Sequence, residues 1–257
     1  MNAPAASPSE PEIHLGHVTK TFGRPRRGAE SFTAVDDLVL DIAQGDMVAI
    51  LGKTGCGKST MFNMIAGLLA PSAGTVRVQG RDPFRHFNEL RGKIAIVFQN
   101  DRLLPWRTAI GNVELGLEIL DVAPRQRHDT ARYWLSRLGL GGHENDYPHM
   151  LSGGMRQRVS IARAFATDAT ILLCDEPFSS LDEITGQRLR TEFANLVREN
   201  GKTAVFITHS IDEALQIGER VVVLRRPAKI AYDVRPREVG PQAWEAIRPN
   251  IRGILSE

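Results

Sequence analysis

The sequence predicts an α/β fold built around a mainly parallel sheet. Short, continuously apolar runs alternate with helical patterns along most of the chain, which is the arrangement of parallel α/β proteins. Met47–Leu51 has the pattern of a fully buried strand, and the apolar residues after it recur at helical spacing. A glycine-rich turn joins the two, so the chain contains a strand–turn–helix unit suited to binding an anion.

The other elements are predicted from the same two patterns. Further buried strands are expected at Ile94–Phe98, Thr170–Cys174 and Thr203–Thr208. The first helix is expected over Lys58–Leu69, with Met61, Met64, Ile65 and Leu68 on one side. Ala109–Leu120 and Arg125–Leu138 also show helical spacing, which predicts a helical subdomain at about residues 101–166, inserted between two strands. After Ile211 we expect a helix, a hairpin of Val221–Leu224 and Ile230–Tyr232, and a tail helix within residues 236–257.

Composition excludes several classes of protein. The 257 residues are 42% hydrophobic and 24% charged with a net charge of +2, so no strong bulk field recruits nucleic acid or anionic lipid. Apolar runs are strand-length, short of the roughly 18 residues of a membrane span. Residues 1–11 lack the features of a secretory signal and are expected to be disordered. Cys56 and Cys174 are too few for a disulfide framework, which predicts a cytosolic protein.

The turn after the first buried strand matches a phosphate-binding loop. Its sequence fits G-x-x-x-x-G-K-[ST] and predicts nucleotide contacts from Gly52, Lys53, Thr54, Gly55, Cys56, Gly57, Lys58, Ser59 and Thr60. Glycines let backbone N–H groups surround an anion, and the start of a helix attracts negative charge. Lys58 is expected to reach the β- and γ-phosphates, and the Ser59 hydroxyl to ligate Mg²⁺.

Two adjacent carboxylates end a later apolar strand. Because side chains alternate along a strand, Asp175 and Glu176 can serve different tasks. We expect Asp175 to hold Mg²⁺ and Glu176 to act as general base on the attacking water. His209, after another buried strand, is expected to position that water, and Gln99 offers an amide to Mg²⁺ or water.

A second helix start is also suited to an anion. Ser152 is a good N-cap, and Gly153 and Gly154 leave backbone N–H groups open. The helix that follows is predicted to bury Met155, Val159, Ala162 and Ala166. Two phosphate-binding helix starts with one nucleotide make sense if the second serves a nucleotide held by another copy of the chain.

The segment Leu151–Arg158, LSGGMRQR, is similar to the signature of ABC-type ATPases, and the resemblance extends from about Ile13 to Leu224. It implies a P-loop NTPase core of the RecA-like type with an antiparallel β subdomain and the inserted helical subdomain, all within residues 12–235. By resemblance Gln99 is the Q-loop residue, Ser179–Asp182 the D-loop and His209 the switch histidine. Phe22 falls where the family stacks an aromatic ring on adenine, and Val35 is expected to wall the base.

The resemblance also implies partners and a mechanism. Two copies would associate head to tail and hold two ATP molecules, with Mg²⁺, between them. The dimer would bind separate permease subunits at the cytoplasmic face of the inner membrane. A solute-binding protein outside the membrane would deliver the solute to those subunits. The segments QNDRLLPW and DEPFSSLD resemble those of nitrate, sulfonate and taurine importers. Leu103, Leu104 and Trp106 are candidate permease contacts. All three have the alternative of packing inside the helical subdomain, and for Leu103 the two interpretations are about equally favoured.

Three other functions fit the sequence less well. A P-loop GTPase or kinase would leave Ser152–Arg158 without a purpose, and the chain lacks a guanine-reading N-K-x-D motif. ABC-type ATPases that act on nucleic acid or the ribosome usually carry a long coiled-coil insertion or two cassettes in one chain, and this sequence shows neither. A regulator without turnover would not need both Glu176 and His209.

Overall fold

The computed structural model describes residues 10–23, 31–179, 181–236 and 244–256. Residues 1–9 of the expected disordered segment, most of the Gly23–Ser31 loop and Ser180 of the D-loop lie outside these ranges. The chain forms two compact units, one of residues 1–89 with 209–257 and one of residues 90–208.

The first unit contains an antiparallel sheet and a second set of paired strands. In the antiparallel sheet, β1 (Ile13–Phe22) pairs with both β2 (Phe32–Ile42) and β4 (Ala73–Val78). The fully buried β3 (Met47–Gly52) pairs in parallel with β8 (Arg220–Arg225), which pairs antiparallel with β9 (Lys229–Val234). The helices of this unit are α1 (Lys58–Ile65), α6 (Ile211–Ile217) and α7 (Trp244–Ser256).

The second unit is a parallel sheet with helices. Its strands are β5 (Ile94–Val97), β6 (Ile171–Asp175) and β7 (Thr203–Thr208), and β6 pairs in parallel with both neighbours. Its helices are α2 (Ala109–Ile119), α3 (Pro124–Arg137), α4 (Gly153–Ala166) and α5 (Glu183–Glu199). A short 3-10 helix at Pro148–Met150 belongs to this unit, and another at Phe87–Leu90 spans the point in the chain where the first unit ends and the second begins. The predicted α/β organisation, with parallel strands, an antiparallel sheet and a helix-rich middle, is confirmed.

Each unit has its own apolar core. In the first, Ile247 and Ile251 of α7 pack in one cluster with Leu51, Leu215 and Val223. In the second, four buried phenylalanines meet with ring centroids 5.1 to 6.3 Å apart: Phe165, Phe178, Phe193 and Phe206. Aromatic side chains bury large areas in such clusters, so this one fixes the chain on either side of the end of β6.

The first helix is shorter than predicted, and this corrects the expected Lys58–Leu69. The helix ends at Ile65, and Leu68 is 55% exposed rather than part of the apolar side. Gly67 has φ +73°, and the Leu68 N–H donates to the Asn63 carbonyl at 2.9 Å, the closing bond of a Schellman turn. A Cβ on Gly67 would lie 2.4 Å from the Pro83 carbonyl oxygen, so only glycine fits there.

The fully buried Asn112 of α2 holds the loop that precedes its helix. Its Oδ1 accepts from the Leu104 N–H at 2.7 Å, and its Nδ2 donates to the carbonyls of Leu104, Arg107 and Thr108 at 3.0 to 3.1 Å. Because the Asn112→Ala change removes all four side-chain hydrogen bonds and takes the Oδ1 acceptor away from the Leu104 N–H, we expect it to lower the free energy of unfolding by about 3 kcal/mol in guanidinium denaturation. The exposed Asn195→Ala change on α5 is the control, with an expected effect within about 0.5 kcal/mol. Equal losses for the two would contradict this role.

Candidate functional site

The glycine-rich loop lies between β3 and α1, as predicted. Gly55 has φ +77° and Gly57, which caps α1, has φ +113°, a region that favours glycine. A Cβ on Gly57 would lie 2.2 Å from the Ala34 carbonyl oxygen, and one on Gly52 would lie 2.8 Å from that of Leu224. Gly55 is therefore required by the turn, Gly52 by close backbone packing, and Gly57 by both.

The start of α1 presents backbone donors without a capping carboxylate. Gly57 supplies no capping side chain, and the first turn of α1 contains no acidic residue. Lys53, Thr54, Gly55 and Ser59 are exposed, whereas Cys56 is buried. Because the first N–H groups of a helix need partners from outside it, this loop is suited to an anion such as phosphate.

Lys58 is held under this loop by the loop's own backbone. Its side chain is buried, and its Nζ donates to the carbonyl oxygens of Gly52 at 2.6 Å and Lys53 at 3.0 Å. An ammonium group has three donors, so two fix its position and one more serves a ligand. The loop thus carries a positioned positive charge where a phosphate would bind.

The two residues predicted to contact the base differ in accessibility. Phe22, at the end of β1, is 41% exposed and faces Phe32 of β2 across the strand pair. The Lys20 ammonium lies 5.3 Å from the Phe22 ring centroid. Val35 has 0% exposure and bridges to Ala228. Phe22 therefore offers a stacking surface, whereas the buried Val35 offers no surface to a base in this structure.

The strand-end carboxylates lie in a well-anchored turn. Asp175 ends β6, and Glu176 follows with φ +45°, a strained conformation for a residue with a side chain. The Glu176 N–H donates to the Ile207 carbonyl at 2.9 Å, and its own carbonyl accepts from Ser179 N and Oγ at 3.2 and 3.0 Å. The buried Phe178 ring anchors the turn in the phenylalanine cluster. Strain of this kind often accompanies function, because it fixes the direction of one side chain.

The cysteine before these carboxylates is part of the apolar core of β6. Cys174 is fully buried, and this burial, with a smaller contribution from the nearby charge of Asp175, raises the pKa of its thiol far above the ordinary value. A thiol that stays protonated is neither a nucleophile nor a metal ligand.

The D-loop residue Asp182 caps α5. Its carboxylate accepts from the Thr185 N–H at 3.0 Å, and this hydrogen bond lowers the pKa of Asp182. Anions at a helix start are stabilised by the backbone dipoles. Asp182 therefore fixes where α5 begins.

The predicted anion site at Ser152 has the expected cap. Ser152 Oγ accepts from the Met155 N–H at 3.3 Å at the start of α4, and Ser152 and Gly153 are exposed. A Cβ on Gly154 would lie 3.3 Å from Thr185 Cγ2, so Gly154 also permits close packing against α5. Met155 is only partly buried, which corrects its predicted place in the core beside the buried Val159, Ala162 and Ala166.

The segment after β5 carries Gln99 and the candidate permease contacts. Gln99 is exposed just beyond Val97, the last residue of β5. Leu103 is only 9% exposed, which supports packing inside its own unit, whereas Trp106 is 71% exposed. Trp106 is therefore the more accessible apolar side chain for a partner.

His209 lies between β7 and α6. Its side chain is exposed, and Ser210, next to it, caps α6 by accepting from the Glu213 N–H at 3.3 Å.

The predicted site residues are divided between the two units. Those of the first unit are His209, Phe22, Val35 and the phosphate loop, and those of the second are Gln99, Ser152–Gly154, Asp175 and Glu176. Sequence reasoning missed Arg156, which contacts both the Gln99 segment and the residue before Ser152. The two contact regions are far apart in sequence, so no local pattern indicates the contact.

Comparisons with known proteins agree with the resemblance seen in the motifs. Residues 35–179 match the family described as "ABC transporter". The chain is 44% identical over 191 residues to a taurine import ATP-binding protein of Yersinia pestis, covering 74% of this chain and 73% of that protein. It is 40% identical over 214 residues to a nitrate import ATP-binding protein of Synechococcus elongatus, covering 82% of this chain and 32% of that protein.

A solved structure extends the agreement to the fold. It is a dimeric ATP-binding cassette in a post-hydrolysis state, bound to ADP and Pi, with a TM-score of 0.77 and 35% identity. The match covers 88% of this chain and 99% of that one. The predicted fold class, a core of the ABC ATPase type, is confirmed.

Proposed function

Because the chain belongs to the ABC transporter family, as an ATP-binding subunit that hydrolyses ATP, we propose that it powers an importer. The solute we propose is a small anion or zwitterion such as taurine, another sulfonate or nitrate, since the relatives named for a solute import taurine and nitrate. The observation that carries the proposal is the capped, exposed helix start at Ser152, in a chain that already has a phosphate loop. A second anion site has a role if it contacts the phosphates of a nucleotide that another copy of the chain holds in its phosphate loop.

We propose these roles for the residues of the phosphate loop. Backbone N–H groups of Gly52–Gly57 surround the phosphates, with Thr60 beyond them on α1, and Lys58 contacts the β- and γ-phosphates. The Ser59 hydroxyl and the Asp175 carboxylate are each an oxygen ligand of the kind that Mg²⁺ takes, and both residues have solvent-exposed surface. Bound Mg²⁺ would neutralise charge on the phosphates.

The remaining roles concern water and base. Glu176, fixed by its strained backbone, accepts a proton from the attacking water, and His209 holds that water in line. The Gln99 amide contacts Mg²⁺ or water, and Gln99 lies at the start of the segment that carries Trp106. Phe22 stacks on the base.

We propose a dimer in which Ser152, Gly153 and Gly154 of one copy contact the nucleotide held by the other copy. A dimer of this kind is consistent with the dimeric state of the solved relative. Opposed helix starts repel each other unless negative charge lies between them, so bound ATP favours closure. Hydrolysis and phosphate release then favour opening.

We further propose that residues 12–235 form the ATPase domain, with the helical subdomain at about 101–166 and residues 236–257 as a tail. None of the described helices is long and apolar enough to span a membrane. The proposed location is the cytoplasmic face of the cell membrane, where separate permease subunits bind the chain and an external solute-binding protein delivers the solute to them.

Affinity purification of the tagged chain from gently solubilised native membranes tests the transport role. We expect a polytopic membrane protein in about equal amount, because transport requires a permease that the described residues do not contain. Trp106→Glu is the informative variant, since it places a charge at the exposed apolar side chain and is expected to reduce recovery of that partner. Recovery of ribosomal or DNA-bound partners alone would contradict the transport role and favour a non-transport ATPase.

A further inference from the structure

Two arginines of α4 hold the segment that follows Gln99. Arg163 donates to the carbonyl oxygens of Asp101 at 2.7 Å and Arg102 at 2.9 Å. Arg156 Nε donates to the Asp101 carboxylate at 3.0 Å. The Arg102 guanidinium lies 3.9 Å from the Phe98 ring centroid. The segment is therefore fixed to α4 through both its backbone and its side chains.

Arg156 also contacts the turn that begins α4. One of its terminal nitrogens donates to the Leu151 carbonyl at 2.8 Å, and Leu151 directly precedes Ser152. A guanidinium is planar and rigid, so one group that bonds two segments fixes their separation and relative orientation. About a third of each side chain is exposed, 36% for Arg156 and 28% for Asp101, so the pair is neither fully buried nor fully solvated.

We propose that Asp101 and Arg156 form a positioning pair that orients the Ser152–Gly154 turn toward the nucleotide held by a second copy. A movement of the segment from Gln99 to Trp106 then changes the direction of these anion-binding N–H groups. This inference rests on the proposed nucleotide sandwich. It deepens that proposal, because it names the residues through which the Gln99 segment would influence dimer closure.

The same helix provides a matched control. Arg158 of α4 bonds the Glu192 carboxylate at 2.5 Å and the Leu138 carbonyl at 3.1 Å, with side chains 23% and 31% exposed. It therefore has the same set of partners, one carboxylate and one carbonyl. Its bonds lead to α5 and to the end of α3 rather than to the Gln99 segment. Glu192→Ala removes a similar ion pair without affecting the proposed connection.

The test measures ATP-driven dimerisation in a Glu176→Gln background, where hydrolysis is blocked. Sedimentation velocity with ATP and Mg²⁺ gives the dimer dissociation constant, and equilibrium dialysis below that concentration gives the ATP affinity of the monomer. We expect Asp101→Ala to weaken the dimer by about tenfold and leave the monomer's ATP affinity unchanged, because the loop at Lys58 is untouched. Glu192→Ala is expected to change both constants by less than about twofold.

Three further variants separate positioning from folding. Asp101→Asn keeps an oxygen for the bond that Asp101 accepts from the Leu103 N–H at 3.1 Å, so it removes the charge and the oxygen that Arg156 contacts while the bond to Leu103 stays. If the pair acts as a unit, the double variant Asp101→Ala/Arg156→Ala weakens the dimer no more than Arg156→Ala does. Dimerisation of Asp101→Ala and Asp101→Asn equal to that of Glu192→Ala would overturn the positioning pair alone. If the Glu176→Gln chain without further substitutions stays monomeric with saturating ATP, the proposed nucleotide sandwich itself is overturned.

Discussion

Glu176→Gln is expected to reduce steady-state ATP turnover by at least about a hundredfold while a dimer accumulates with ATP bound. Glutamine has the size of glutamate but cannot accept a proton from the attacking water. The hydrogen bonds of the Glu176 backbone to Ile207 and Ser179 do not depend on the side chain, so the turn stays in place. Phosphate release reports turnover, and light scattering with ATP and Mg²⁺ reports the dimer.

The control for this change is Glu183→Gln. Glu183 is an exposed carboxylate seven positions away, in the first turn of α5, so its substitution makes the same change in charge and size. We expect turnover close to that of the unmodified chain. Turnover by Glu176→Gln above about a tenth of the unmodified rate would exclude Glu176 as the general base. A chain that stays monomeric with saturating ATP would contradict the sandwich.

The elements with local signals could be predicted from the sequence. The phosphate loop depends on glycines at fixed spacing, and the structure shows positive φ angles at Gly55 and Gly57 and, at Gly57, close packing that also requires glycine. The cap at Ser152 also depends on adjacent residues and was predicted correctly. The end of α1 at Ile65 had a local signal as well, since Gly67 marks a helix end, but the apolar Leu68 suggested that the helix continues.

Features that depend on distant residues could not be predicted. Asn112 has no distinctive local pattern, and its role appears only when the loop before α2 folds onto this buried side chain. Asp101 and Arg156 are 55 positions apart, so nothing in either segment indicates their contact. Val35 fits the position of a base-walling residue by resemblance, yet its complete burial depends on how β2 packs. These features follow from tertiary packing rather than from local propensity.

Lys58→Ala is expected to raise the dissociation constant for ATP by roughly a hundredfold to a thousandfold. The ammonium is positioned by two loop carbonyls beneath the phosphate loop, so its charge is placed before the nucleotide arrives. Loss of a positioned charge from a largely buried site costs about 3–5 kcal/mol when the opposite charge is left unpaired. Alanine favours the helix at least as well as lysine, so α1 is expected to remain, which circular dichroism checks.

A second lysine in the same loop provides the control for Lys58→Ala, because it separates the effect of where a positive charge lies from the effect of the loop's net charge. Lys53 is an exposed lysine five positions before Lys58, so Lys53→Ala removes an equal charge from the loop. Because a solvated charge contributes little to binding, we expect Lys53→Ala to weaken ATP binding by less than about fivefold in isothermal titration calorimetry. Equal losses for the two variants would mean that the loop attracts ATP by net charge alone. An unchanged affinity for Lys58→Ala would remove Lys58 from the nucleotide site.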